Sequence, residues 1–306
     1  MKTIEELYSD YVNILYLKNK ITTIELIKYK FKNYIIPFFG QYKPNEINED
    51  IYIDFQIKLI KLNYSTSFYQ QIHGMLCKFF DFIQLKYNVD NIPRKIGYFS
   101  NSNYLPNQKK DIWTKKEFKK FIRKVDDKIY HALFNTLFYT GIRKGEALAL
   151  KISDFDGKYI NIGHSITKEL FNGKRKILTP KSKKSIRKIR IDLFTRFELI
   201  KLIKYYTKNC DNFNSDFFLF GGNKPIPCTT LERKKNKYCK SAEVKQIRIH
   251  DFRHSHATLL YRKKIDIKAI KERLGHASIS TTLDTYVHIN DKEEKRLIKK
   301  INLTRI

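Results

Sequence analysis

Apolar side chains recur at positions 4, 7, 8, 11, 12 and 15, a stripe with the period of an α-helix. The next stretch, "ITTIELIKYKFKNYIIPFFG" (21–40), keeps that period and is expected to stop at Pro37 and Gly40. "NEDIYIDFQIKLIKL" (48–62) opens with Glu49 and Asp50, acidic residues that suit the first turn of a helix. "STSFYQQIHGMLCKFFDFIQLKYN" (65–88) starts at a Ser/Thr cap and again carries one apolar face. Helices of this kind predict a small helical bundle over residues 1–92.

The pattern breaks in "NIPRKIGYFSNSNYLPNQKK" (91–110), where Pro, Gly, Asn and Ser dominate; residues 93–110 read as a linker. A second domain is expected over residues 111–306. It opens at Thr114, with Glu117 at capping-box spacing. "IYHALFNTLFYTGIRKGEALALKISDF" (129–155) predicts a long apolar helix, a break at Gly141 and a further helix. Four β-branched, alternating runs follow, "YINIG", "HSITKEL", "RKILTP" and "SIRKIRI", with turns at "FNGK" and "PKSKK". Helix returns at "LFTRFELIKLIKYYTK", a loop at "FGGNKPIPC" comes next, and 248–300 is nearly all helical, ending in a helical tail. The expected fold is therefore mainly α, with a small antiparallel β-sheet in the C-terminal domain.

Charge sharpens this picture. The 306 residues carry a formal charge of +30. Residues 1–105 hold 13 basic and 10 acidic side chains, a net of +3, so the remaining 48 and 21 concentrate +27 in the second part. Self-repulsion of that size is best relieved by a polyanion. The four cysteines form no C-x-x-C pair, which argues against a zinc ribbon or a disulfide framework and fits a reducing compartment. The N-terminus has no signal-peptide core, and no run approaches the roughly 18 apolar residues of a membrane span. A cytoplasmic protein is expected.

Three of the eight histidines fall in "IHDFRHSHATLL" (249–260). A metal site lacks support: His250 and His254 share a helix face, but no H-E-x-x-H and no carboxylate at third-ligand spacing accompany them. Helix-surface histidines are the plain alternative. A phosphate grip is the third reading, because Arg253 stands at i+3 from His250 and its planar fork of donors suits a phosphate. A second arginine, Arg143, follows the helix-breaking Gly141, with Glu146 three residues on to buttress the helix or a nearby histidine. His276 follows Gly275, which is expected to end a helix with a left-handed cap. Tyr286 stands ten residues beyond His276, one of 20 tyrosines. His73, His131 and His164 read as helix or strand residues without a chemical role.

Taken together, Thr140-Gly141-Ile142-Arg143-Lys144-Gly145-Glu146, then His250-Asp251-Phe252-Arg253, then Leu274-Gly275-His276 and Tyr286 resemble the tyrosine recombinases, or phage-type integrases, in order and spacing. The resemblance is strong over residues 111–290 and weaker over the helical N-terminal domain. "ILTPKSKKSIRKIRI" is similar to the family's "PK-[TS]-x-x-S-x-R" pattern and points to Lys181, with Lys183 and Lys184 as close competitors.

The resemblance implies a helical core-DNA-binding domain followed by a tyrosine-recombinase catalytic domain. It implies site-specific DNA cleavage and rejoining through a 3′-phosphotyrosyl intermediate, without metal, ATP or another cofactor. Tyr286 is then the nucleophile, and Arg143 and Arg253 neutralise the non-bridging oxygens. His250 is the general base, Lys181 the general acid, His276 a phosphate hydrogen bonder and Glu146 an orienting residue. Of His254 and His256, one is expected to pack beneath the site and the other to lie near solvent or DNA. The implied partner is a double-stranded recombination site, clamped by both domains, with a homo-tetramer on two duplexes and an accessory DNA-bending factor. The helical domain begins almost at Met1, so the arm-binding module of many integrases is expected to be missing. The rival readings are a type IB topoisomerase-like relaxing enzyme and a DNA-binding accessory protein that no longer cuts.

Overall fold

The computed structural model describes residues 1–98, 111–167, 177–178 and 186–275, in two compact units divided near Lys109/Lys110. In the first unit, α1 (Ile4–Lys18) is capped by a reciprocal pair: the Thr3 N–H donates to Glu6 Oε2 at 2.8 Å, and the Glu6 N–H to Thr3 Oγ1 at 3.3 Å. Its stripe buries Ile4, Leu7, Tyr11 and Leu15. α2 (Ile21–Lys30) does not stop at Pro37. A single π-turn (Phe31–Ile35) intervenes, the Ile36 N–H donates to the Phe31 carbonyl, and α3 (Ile36–Phe39) continues with Pro37 in its first turn. There a missing N–H is harmless, because first-turn donors lack intrahelical partners anyway.

α4 (Glu49–Ile60) is capped by Asn48 and α5 (Thr66–Tyr87) by Ser65. α5 ends at Asn88 in the left-handed conformation, φ 53°. Residues 92–96, assigned above to the linker apart from Ile92, form a short helix, α6 (Ile92–Ile96). It belongs to the first unit because Asn91 caps it and also donates to the Cys77 carbonyl at 2.9 Å on α5, while Ile92 and Pro93 are buried. His73 is a satisfied helix residue, with its Nδ1 2.7 Å from the Tyr52 hydroxyl.

The second unit is built around α8 (Lys128–Thr140), which is buried on nearly every side. α7 (Lys115–Ile122) starts at the Thr114–Glu117 capping box and stacks Phe118 on Phe138 of α8 at 3.9 Å. Gly141, φ 68°, ends α8, and α9 (Lys144–Ala149) follows after only two residues. β1 (Tyr159–Ile162) pairs antiparallel with β4 (Arg187–Arg190), with Ile162 opposite Arg187. Between them along the chain, β2 (Ser165–Ile166) pairs with β3 (Ile177–Leu178). His164 is exposed between β1 and β2 rather than within a strand. The turns at "FNGK" and "PKSKK", and with them Lys181, Lys183 and Lys184, lie outside the described residues.

α10 (Leu193–Asn209) and α12 (Ile249–Arg262) both pack on α8. α11 (Cys228–Ser241) occupies a stretch that hydrophobic patterning leaves unassigned. Its inward face is Leu231, Lys235, Tyr238 and Cys239, so a lysine stands where an apolar residue would advertise a helix. α13 (Ile267–Leu274) closes the described chain at Gly275. Among the described residues no helix is long and apolar enough to cross a membrane.

Candidate active site

The C-terminal end of α13 organises the site. The last carbonyls of a helix lack intrahelical donors and carry its partial negative charge, so they attract cations. Three successive carbonyls here are taken by three different arginines. Arg187 Nε donates to the Arg273 carbonyl at 3.0 Å, Arg253 Nη2 to that of Leu274 at 2.7 Å, and Arg143 Nη2 to that of Gly275 at 3.1 Å. Gly275 adopts φ 67°, as its left-handed cap requires, and its N–H returns to the Lys271 and Glu272 carbonyls. His276 follows this turn directly.

Each arginine is also held from elsewhere. Arg253 lies on the second turn of α12 and donates through Nη1 to the Gly141 carbonyl at 2.8 Å. It is only 2% exposed and forms the floor of the site. Arg143 precedes α9, and its Nη1 donates to Glu146 Oε1 at 2.8 Å. Glu146 is a buried carboxylate with four charge-assisted or helix-N-terminal donors. Arg143 Nη1 and Arg187 Nη1 reach Oε1 at 2.8 and 3.1 Å; the Arg143 backbone N–H and Arg187 Nη2 reach Oε2 at 2.8 and 2.9 Å. Burial alone would raise its pKa, but Arg187, and after it Arg143, outweigh that and hold it below the ordinary carboxylate value.

Gly141 joins the two halves. A β-carbon at this position would stand 2.6 Å from His256 Cδ2 and 2.7 Å from Leu274 Cδ2, so only glycine admits the close approach of α8, α12 and α13. His256 is therefore the histidine that packs beneath the site, 3% exposed, accepting from Arg273 Nε at 3.2 Å. Arg273 in turn donates to the Arg190 and Tyr139 carbonyls, each at 3.1 Å.

His250 opens α12 with an exposed edge, its ring 4.9 Å from that of His254. The protein packed around it and the Arg253 charge lower its pKa; Asp251 opposes them, while Arg143 and Arg248 add to the lowering. It is neutral near pH 7, a state that can accept a proton. The first two turns of α12 are each held: Asp251 on the first takes the Arg248 N–H at 2.9 Å, and Ser255 Oγ on the second accepts from the Trp113 N–H at 2.9 Å.

Four residues expected from sequence thus stand in one neighbourhood: Arg143, Glu146, His250 and Arg253. Lys181, His276 and Tyr286 lie outside the described residues. Arg187 and Arg273 were not singled out, although Arg187 is the arginine of the "S-x-R" element and shares the inward strand face of Ile189. Among the described residues no three His, Cys, Asp or Glu side chains cluster as metal ligands.

The profile of the phage integrase family matches residues 112–293. The chain belongs to the phage integrase family. The ICEBs1 integrase of Bacillus subtilis (strain 168) is 31% identical over 291 residues, 90% of this chain and 76% of that protein. The integrase of Staphylococcus phage L54a is 31% identical over 173 residues, 53% of this chain and 48% of that protein. The fold is that of the Tn1549 transposon integrase solved with transposon right-end DNA, with TM-score 0.79 and 19% identity over 98% of this chain and 99% of that one. The chain is a site-specific recombinase of the tyrosine class, an enzyme of DNA breakage and rejoining, and its relatives include transposase A from transposon Tn554 of Staphylococcus aureus.

Proposed function

We propose that this integrase cuts duplex DNA at a recombination site through Tyr286 and rejoins it to a second strand. The observation that carries this reading is the gathering of Arg187, Arg253 and Arg143 at the last two carbonyls of α13 and the carbonyl of its cap Gly275, with His276 next in the sequence. Arg143 and Arg253 neutralise the non-bridging oxygens of the scissile phosphate, where charge grows in the transition state. The phenol of Tyr286, with an ordinary pKa near 10, needs its proton removed, and His250 is the base. Attack joins the tyrosyl oxygen to phosphorus and releases the 5′ oxygen, which Lys181 protonates. His276 donates to a phosphate oxygen, and Glu146 holds Arg143 in place. Attack by the 5′-hydroxyl of another strand reverses the step and completes exchange.

The partner is double-stranded DNA, gripped mainly through phosphates by the +27 of residues 106–306. The working assembly is a homo-tetramer on two duplexes, aided by a DNA-bending factor, acting in the cytoplasm on a mobile element. The test is a nicked suicide duplex, tiled across the DNA that flanks the coding gene. The native chain is expected to become covalently attached to one tile, and Tyr286→Phe to bind that tile without attachment. Attachment that survives in Tyr286→Phe refutes the assignment, as does a native chain that attaches to none.

A further inference from the structure

We infer that Arg187, on β4, is a positioning residue for the cleavage site: it fixes both acceptors on which Arg143 is hung. Arg143 has two anchors in the described structure, Glu146 Oε1 and the Gly275 carbonyl. Arg187 binds Glu146 through both terminal nitrogens, at 3.1 and 2.9 Å, and reaches the turn before Gly275 through Nε, at 3.0 Å from the Arg273 carbonyl. One planar guanidinium thus sets the distance between the N-terminus of α9 and the C-terminus of α13. That spacing is the slot in which the Arg143 side chain lies. The side chain of Arg187 is 8% exposed against 37% for Arg143, so it supports the site from behind while Arg143 faces outward. Gly275 leaves room for it, since a β-carbon there would stand 3.2 Å from Arg187 Cδ.

A lysine cannot replace this arrangement. It offers one point charge, not a fork that spans two carboxylate oxygens and a carbonyl. Loss of Arg187 leaves Glu146 buried with Arg143 as its remaining guanidinium, free to draw Arg143 inward onto both oxygens. The side chain then points away from the phosphate, and misplacement on the scale of 1 Å costs about 100-fold in rate.

The inference rests on the recombinase reading above, and the experiment keeps the two apart. Adduct formation on the captured nicked duplex is followed as a single turnover at saturating protein, beside a binding isotherm on the same DNA. A native chain that forms no adduct counts against the recombinase reading. Given a native adduct, Arg187→Gln is expected to slow its formation about 10- to 100-fold while the Kd for DNA stays within about threefold. Glu146→Gln combined with Arg187→Gln is expected to recover part of the rate, because no unpaired carboxylate remains to capture Arg143. The deficit of Arg187→Gln relative to the native chain should also narrow in acid, because without Arg187 the Glu146 carboxyl takes up a proton more readily and then loosens its hold on Arg143. If Arg187→Gln is unfolded at the assay temperature, the comparison is read on Arg187→Lys, which keeps the charge and loses the fork. A native rate in the folded variant overturns the inference. So does a rate loss that merely tracks a loss of affinity, which would make Arg187 a DNA contact.

Discussion

His256 carries no chemistry in this account, yet its burial beneath Gly141 leaves a measurable trace. Burial, with the Arg273 charge next, pushes its pKa from the ordinary 6.5 down to about 3. Between those values the unfolded chain binds a proton that the folded chain refuses. Stability therefore rises with pH across this window and is lost as pH falls below about 6.5, by at most about 1.4 kcal/mol per pH unit from this one group. His256→Gln removes that titration. Urea unfolding at pH 7 and pH 5 is expected to show a smaller acid loss in the variant than in the native chain. Equal losses would mean that the ring is already protonated, or accessible, in the folded state.

At the same scale, residue types were easier to read than their directions. Arg143, His250 and Arg253 stand out because phosphate chemistry needs forks of donors and a base at close spacing. Arg187 was hidden among basic neighbours in "SIRKIRI", a run that looks like a solvated strand edge. Only its shared face with buried Ile189 hinted that it points inward. A buried guanidinium on a strand calls for a carboxylate, and Glu146 is 41 residues away in sequence, a distance that no local pattern bridges.

Elements followed their apolar periodicity wherever the inward face was apolar, as α1, α5 and α8 show. Two departures have physical causes. Pro37 was expected to break its helix, but a π-turn before it moves the proline into a first-turn position. α11 escaped notice because Lys235 fills its core position, 4% exposed, with the ammonium donating to the Ile247 carbonyl just before α12. That bond ties α11 to the entry of the helix that carries His250 and Arg253. Lys235→Met keeps the apolar stem and removes the donor. The buried carbonyl left behind is expected to cost about 1–3 kcal/mol in chemical denaturation. An unchanged midpoint would show that water or another group satisfies Ile247.

On the scale of the whole molecule, two compact units were legible from the break in patterning, and the basic excess of the second part was a matter of counting. What no count supplies is convergence. Gly141, Arg143, Glu146, Arg187, Arg253 and Gly275 span 135 positions and meet around one helix end. The ordered motifs anticipated part of that meeting, because they are the family's way of encoding it.

The central claim is that this meeting point serves a single one of the 20 tyrosines. The most direct measurement is to trap the native chain on its nicked duplex, digest protein and DNA, and locate the nucleotide-bearing peptide by mass spectrometry. With trypsin, one modified peptide is predicted, "LGHASISTTLDTYVHINDK", with Tyr286 joined to a 3′-phosphate and a free 5′-hydroxyl on the departing strand. A nucleotide on any other residue, or a linkage to a 5′-phosphate, would contradict it.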